Sequence, residues 1–523
     1  MPSHRRILAI DVGTSAVKVG LFDHALRLHE SAAAAYRVDR PHPGWAEVPP
    51  RRWWDAMCRA AGRAVGNRGR SVEAVTFSTL YPGLILADSR LRPLRPAILY
   101  CDNRSGPEGR AFEDRIGRHR LHARTGSTVH PGTPALSSLV WVGRHEPDVL
   151  RRTRHLLMPN AYLAARLTGA VGLDYNTASL SGLLDVRRKP AWWTGLAGEA
   201  GLDPAALPPL MPSDAVVGRL TAGGARALGL PTGVPVVIGA GDSACTALAA
   251  GLLRPGRITV ACGSTDTAAA CTTARPLPPG LINVVHAAPG PDGRRCLAQA
   301  SLSSAGVSVD WIVAGLFGTG REAFARALRE AEAAPGGAGG MLFLPYLQGE
   351  RTPIWSDTAR GVLVGLTPGA DRGAIVRAVL EGVAFALRHN VEALETGVGR
   401  QRPTVTLLGG GARSRLLNRI RADVLGRPVR RLCLREAEGS EALAVAAMLA
   451  AAGIGWVASF KEAADRIRAI ARVEGFRPRR RAAERYEGMY EVYRGLFPAL
   501  RPAFEALHRQ AGGGKTRADK RRG

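Results

Sequence analysis

A few short stretches hold the residue types that phosphoryl transfer uses. Asp11-Val12-Gly13-Thr14-Ser15 closes an apolar run, and Lys18 follows. A tight turn at Gly13 lets backbone N–H groups approach phosphate oxygens, and Thr14 and Ser15 add hydroxyl donors. Asp11 suits a water-mediated contact with Mg2+, and Lys18 would offset phosphate charge. Gly263-Ser264-Thr265 repeats this pattern in the second half. Gly409-Gly410-Gly411-Ala412-Arg413-Ser414 lies between a strand-like and a helix-like segment, where glycines admit close approach of a planar ring or a phosphate. Gly241-Asp242-Ser243 follows the apolar run Val236–Ala240, which puts a carboxylate at the C-terminal end of a strand. There Asp242 can accept a hydroxyl proton during phosphoryl transfer, or equally well cap a helix. Taken singly, each glycine turn also fits an ordinary hairpin or strand-to-helix connection.

The elements that must carry these residues follow from hydrophobic period. Ile7–Val12, Val17–Leu21 and Leu26–Ala32 read as three meandering strands, Arg51–Val65 as an amphipathic helix, and Val72–Phe77 and Leu84–Ala87 as further strands. Helical spacing recurs at Ala135–Gly143, Asn160–Leu167 and Ala244–Leu252. Ile258–Ala261, the turn 263–265 and Ala268–Thr272 repeat the opening strand–turn–strand plan, which suggests two domains built alike. Further on, Met341–Leu344 and Val405–Leu408 predict strands, and Arg321–Ala333, Arg372–Leu394, a segment from Arg415, and Ser440–Ala452 predict helices. The mixture is an α/β pattern.

Composition narrows the class. The 523 residues are 46% hydrophobic and 22% charged, so the chain can bury more than one core. The net charge of +27 comes from 71 Lys+Arg against 44 Asp+Glu, and Lys occurs only at 18, 189, 461, 515 and 520. The arginines are spread through Ala-, Gly- and Pro-rich sequence, which argues for a general Arg bias and against a specific nucleic-acid surface. The densest basic stretch, Gly512–Gly523, predicts a solvated tail. Its Gly514-Lys515-Thr516 is no phosphate loop, because Arg509 stands where the first glycine should be. Cys58, Cys101, Cys245, Cys262, Cys271, Cys296 and Cys433 form no metal-ligand spacing and read as free thiols of a cytoplasmic protein. The start lacks a signal-peptide pattern, and the apolar run Val234–Leu253 contains Asp242, which speaks against a membrane span.

Taken in order, these segments resemble the FGGY family of carbohydrate kinases, within the actin-like ATPase superfamily. The resemblance runs from about Leu8 to about Gly455. It rests on Asp11-x-Gly13-Thr14-Ser15-x-x-Lys18, Pro43-Gly44-Trp45-Ala46-Glu47, Tyr100-Cys101-Asp102-Asn103-Arg104, Leu167-Thr168-Gly169, Gly239-Ala240-Gly241-Asp242, Leu344-Pro345-Tyr346-Leu347-x-Gly349-Glu350-Arg351-x-Pro353 and Gly409–Ser414. It implies two RNase-H-like domains with a nucleotide cleft between them, closing to exclude water. The domains would span 1–253 (sugar and phosphate) and 254–480 (ATP), with a C-terminal helix and basic tail at 481–523.

Carried over residue by residue, the resemblance implies Asp242 as general base and Asp11 on Mg2+ through water. ATP would contact Asp11, Gly13, Thr14, Ser15, Lys18, Gly263, Ser264, Thr265, Gly409, Gly410, Gly411, Ala412 and Asn418. The acceptor, a small sugar or polyol, would meet Leu80, Tyr81, Pro82, Asp102, Arg104 and Asp242. Many pentulose kinases of the family carry Gly-Gln-Met-His where this chain has Thr79-Leu80-Tyr81-Pro82, so the imidazole is missing. Xylulose is the first acceptor implied; another ketose, a polyol or a cyclitol is the alternative. A non-catalytic actin-like ATP-binding regulator is the rival of another class. No specific nucleic acid or membrane partner is implied, and a homodimer is compatible with the resemblance.

Overall fold

The computed structural model describes residues 5–274, 277–288, 290, 293–399, 404–434 and 441–513. The sequence's basic tail, with its Gly-Lys-Thr, falls at 514–523, outside the described residues. The chain forms two compact units. The first comprises 1–255, 270–298 and 433–472; the second comprises 256–269, 299–432 and 473–523. The sequence implies contiguous domains, whereas each of these units is assembled from separate stretches of chain.

The first unit is built on a six-stranded sheet. Its order is Val216–Arg219, Pro235–Gly241, Val72–Thr79, Arg6–Val12, Ala16–Phe22, Leu28–Ala35. Arg6–Val12, Val72–Thr79 and Pro235–Gly241 run parallel, and the three N-terminal strands form antiparallel hairpins. The parallel strands are buried nearly throughout, which is why they read as continuous apolar runs. Register brings Val12 beside Thr79, and Thr79 beside Gly241. Asp11 and Asp242 are thereby carried to the same edge, the C-terminal ends of the parallel strands.

The third strand begins at Leu28, later than the apolar pattern predicts. Asp23 is the reason: its Oδ1 accepts the N–H groups of Ala25 and Arg27, and Leu26 takes a φ of 61° inside that turn. Helix Pro50–Val65 starts with proline in its first turn and buries Trp53, Ala56, Met57, Ala60, Ala61 and Ala64 against the second and third strands. Helix Glu441–Gly453 belongs to this unit and packs on Arg6–Val12 and Val72–Thr79. The apolar run around Asp242 folds as strand Pro235–Gly241 and helix Asp242–Ala249. Among the described residues no helix is long and apolar enough to cross a membrane.

In the second unit, Ile258–Cys262, Val405–Leu408 and Val429–Leu434 lie adjacent and parallel, and Asp266–Thr272 neighbours the first of these. Helices Arg372–Val398 and Arg415–Leu425 pack together, joined by the C-terminal helix Arg480–Gly513. Tyr486, Tyr490 and Tyr493 of that last helix close around Phe385, all buried. This is a larger aromatic core than the sequence pattern suggests for a terminal helix.

Candidate active site

Asp11 is almost fully buried at the end of its strand, paired in register with Lys18 and flanked by Ser78. Burial raises its carboxyl above the ordinary range; Lys18 and the Ser78 hydroxyl oppose this, and Glu441 adds to it. The turn after it is closed by Gly13 N–H donating to Ala16 O at 3.0 Å. Tyr36 donates its hydroxyl to Gly13 O, and Thr14 Oγ1 lies 3.0 Å from Tyr100 OH. Ser15 is exposed. Tyr36 and Tyr100, which brace this turn, carry no local sequence signal for that task.

Asp242 opens its helix, but the cap position belongs to Gly241, which has extended backbone and makes no side-chain cap. Asp242 is thus the first helical residue and not the cap itself, though it still offers an oxygen to the first turn. Its Oδ1 accepts the Ser243 N–H at 2.6 Å, and Oδ2 makes no hydrogen bond with the described residues. The carboxyl is pushed up to about 7, by burial first and by the charge of Asp11 second. The strand leading to it needs its glycines. Gly239 has φ +71°, and a Cβ there would lie 1.8 Å from Phe77 O. A Cβ on Gly241 would lie 2.2 Å from the Tyr81 ring, and Gly241 N–H donates to Asn176 Oδ1 at 3.1 Å. Asn176 in turn donates to Val285 O at 2.7 Å. Asp174 lies nearby in sequence, fully buried, accepting from Thr177 N, Asn160 Nδ2 and Ser213 Oγ.

The residues expected to meet the acceptor divide into groups. Leu80 has its side chain in the hydrophobic core and its N–H on Val12 O, so its side chain is not offered to a ligand. Tyr81 is buried and its hydroxyl lies 2.7 Å from Ser243 Oγ, beside Asp242. Pro82 is buried next to it. Asp102 and Arg104 bind each other: Arg104 Nε and Nη2 donate to the two Asp102 oxygens at 2.9 and 2.7 Å. Arg104 Nη1 donates to Glu47 Oε1 at 2.7 Å, Ala46 N–H donates to Asp102 Oδ2 at 2.6 Å, and the guanidinium sits 3.5 Å from the Trp45 ring centroid. The pair thus fixes the 44–47 loop; all three guanidinium nitrogens are engaged within the protein, and Glu47, which the sequence offers only as the end of the 43–47 segment, completes the network.

In the second unit, Gly263 N–H closes its turn on Thr265 O at 2.9 Å. Ser264 is exposed, like Ser15 in the first turn. Gly306 and Val307 N–H groups hold the turn from behind, on the carbonyls of Gly263 and Ser264. The Gly409–Ala412 loop crosses close to it. Gly409 has φ +93°, and a Cβ there would meet Cys262 O at 2.4 Å. Asn418 is fully buried and donates to Ala412 O at 2.7 Å, so it shapes the loop from inside.

Two residues without a sequence cue tie these loops together. Arg421 donates to Asp266 Oδ2 at 2.6 Å and, through Nη1, to Gly411 O and Asn418 Oδ1. Both partners of the ion pair are about 1% exposed. Burial raises Asp266, and the Arg421 charge opposes it. Another buried carboxyl, Glu350, is pushed up to about 8 by burial; its Oε1 accepts the Ser303 and Arg351 N–H groups, and Oε2 has no hydrogen-bond partner among the described residues. None of the seven cysteines is joined in a disulfide. Among the described residues no cluster of His, Cys, Asp or Glu large enough to cage a metal forms.

The chain matches the family models for the N-terminal domain of the FGGY family of carbohydrate kinases at residues 6–249 and for its C-terminal domain at 258–453. It is similar to the xylulose kinase of Bacillus subtilis (strain 168), 29% identical over 96% of this chain and 98% of that protein. It is 33% identical to the xylulose kinase of Escherichia coli (strain K12), over 80% of this chain and 84% of that protein. Among solved structures, the xylulose kinase of Rhodospirillum rubrum aligns with TM-score 0.82 and 31% identity, covering 96% of this chain and all of that one.

Proposed function

Because the chain belongs to the FGGY family of carbohydrate kinases, we propose that it transfers the γ-phosphoryl group of ATP to a hydroxyl of a pentulose, xylulose first, with Asp242 as general base. The single observation that carries this role is the state of Asp242: a carboxyl at the edge of a parallel sheet, pushed up to about 7, with Oδ2 unengaged by the described residues. A base with a pKa near working pH combines a useful anionic fraction with enough proton affinity to assist attack. Asp242 takes the proton from the acceptor hydroxyl as its oxygen approaches phosphorus, and phosphoryl transfer otherwise depends on positioning and charge stabilisation. The N–H groups and hydroxyls of the 13–15 turn in the first unit and the 263–265 turn in the second bind phosphate oxygens. The 409–412 loop, held by Asn418 and Arg421, receives the adenosine.

Mg2+ typically binds through one or two carboxylates plus substrate phosphates. Asp11 fits that demand, since burial leaves it with a raised proton affinity that a cation would counter. The ion would be held by Asp11, through water, and would supply charge neutralisation on the phosphates. Asp102 and Arg104 act by fixing the 44–47 loop.

Leu80 in the core, Pro82 without an imidazole and a Tyr81 hydroxyl tied to Ser243 favour a second reading of the acceptor, as another ketose, a polyol or a cyclitol. A screen of ketoses, polyols and cyclitols for acceptor-dependent ADP release decides it. The kinase reading expects turnover with xylulose or another member of the set. ATP binding with no acceptor-dependent turnover would leave the non-catalytic regulator instead.

A further inference from the structure

We propose that Tyr81 and Ser243 form a positioning pair that sets the orientation of the Asp242 carboxylate. The inference rests on the reading of Asp242 as base. The first turn of helix Asp242–Ala249 is gripped on both sides of Asp242. Before it, the Tyr81 ring lies against Gly241 so closely that no Cβ fits, and Asn176 accepts the Gly241 N–H. After it, the Tyr81 hydroxyl reaches Ser243 Oγ at 2.7 Å. The Ser243 N–H, on the same residue, donates to Asp242 Oδ1 at 2.6 Å. One aromatic side chain therefore fixes the residue before the base by packing and the residue after it by hydrogen bonding. The second contact passes to the carboxylate itself.

A device of this kind has a chemical purpose. Oδ1 is held by the backbone, so Oδ2 is the oxygen left to meet the acceptor hydroxyl, and its direction depends on how firmly Ser243 is held. Transfer rates are sensitive to sub-ångström placement of such a group. Tyr81 is suited to the task because it is rigid and buried. Burial, reinforced by the Asp242 charge, also raises its phenol well above the ordinary value. The two residues lie 162 positions apart, and neither is explained by local secondary structure alone.

The test compares Tyr81→Phe, Ser243→Ala, the double variant, Ser243→Thr and Asp242→Asn. Each is assayed for ADP release with ATP and the acceptor of highest turnover in the screen above, and each is followed by thermal unfolding. A positioning pair predicts that either single variant lowers kcat by about tenfold to a hundredfold, with KM for ATP and the unfolding temperature little changed. The double variant should be no slower than the worse single one, since the two act as a unit. Ser243→Thr should recover most of what Ser243→Ala loses. Wild-type kcat in Tyr81→Phe or Ser243→Ala, or additive losses in the double variant, overturns the pair while leaving the base in place if Asp242→Asn is inactive. Normal turnover in Asp242→Asn overturns the base instead. Should Tyr81→Phe fail to fold, the Ser243→Ala and Ser243→Thr contrast decides alone.

Discussion

The glycine turns of the two units sit beside buried carboxylates that are treated differently. Asp266 follows Gly263-Ser264-Thr265 directly, and a buried guanidinium, Arg421, stands 2.6 Å from its Oδ2. Asp242 has one backbone N–H for company, and the nearby charge of Asp11 works against its ionisation. Burial is the largest influence on both groups; what opposes it differs. A carboxylate given a cation becomes a strut, because breaking the pair strands a charge. A carboxylate denied one keeps its proton affinity for a reaction partner.

Neutralising one carboxylate should therefore have opposite consequences at the two places. Asp242→Asn is expected to lower turnover about a thousandfold or more, the upper part of the range for a general base. Its unfolding temperature at pH 8 should be equal to or above that of the wild type, because an unfavourable buried charge is gone. Steady-state ADP release and scanning calorimetry read the two effects; a clear drop in thermal stability would show that Asp242 is a structural anion.

Arg421→Met makes the contrasting experiment. It leaves Asp266 buried without a partner, and loss of one member of such a pair costs roughly 3–5 kcal/mol. Urea unfolding should show that loss, and a higher KM for ATP should accompany it, because Arg421 also holds Gly411 and Asn418. Asp266→Asn combined with Arg421→Met should recover a substantial part of the stability. A single variant as stable as the wild type would end the strut interpretation.

The difference between the two places also marks what the sequence could reveal. Strand runs, glycine turns and the carboxylate after Val236–Ala240 are local patterns, and they predict the sheet edge that carries Asp11 and Asp242. The Arg421–Asp266 and Tyr81–Ser243 contacts span 155 and 162 residues, and no periodicity encodes them. Helix Glu441–Gly453 is readable as a helix, but its return to the first unit's sheet is a tertiary fact. Asp102 and Arg104 show the converse. Their types suit a ligand, yet they lie two residues apart beside Glu47 and Trp45 and bind one another.

The pH dependence sharpens the account of Asp242. Its protonated form cannot act as base, so kcat/KM should fall about tenfold per pH unit below roughly 7 and level off above it. The stability term has the reverse sense. Between the ordinary value of 3.8 and about 7 the folded state holds a proton that the unfolded state has released. That contribution is present at low pH and is lost as the pH climbs towards 7. Asp242→Asn should abolish this part of the slope. A wild-type rate profile flat from pH 5.5 to 8 would be incompatible with the assigned base.

Glu350 separates the influence of the cation from that of the unit. It lies in the second unit like Asp266, yet it resembles Asp242: burial pushes it up to about 8, and Oε2 has no hydrogen-bond partner among the described residues. At pH 7 it is therefore mostly a neutral acid whose Oε1 accepts the Ser303 and Arg351 N–H groups. An amide reproduces that acceptor, so at or below pH 4.5, where folded and unfolded forms both hold the proton, Glu350→Gln should change unfolding free energy by less than about 1 kcal/mol. The wild type then loses stability as the pH rises from the ordinary 4.5 towards 8, because its folded form must give up the proton. By pH 9 the variant should be the more stable of the two. A loss of several kcal/mol at pH 7 would instead mean that Glu350 is an anion with a charged partner, and the two units would then differ in kind, with the second holding every buried carboxylate as a strut.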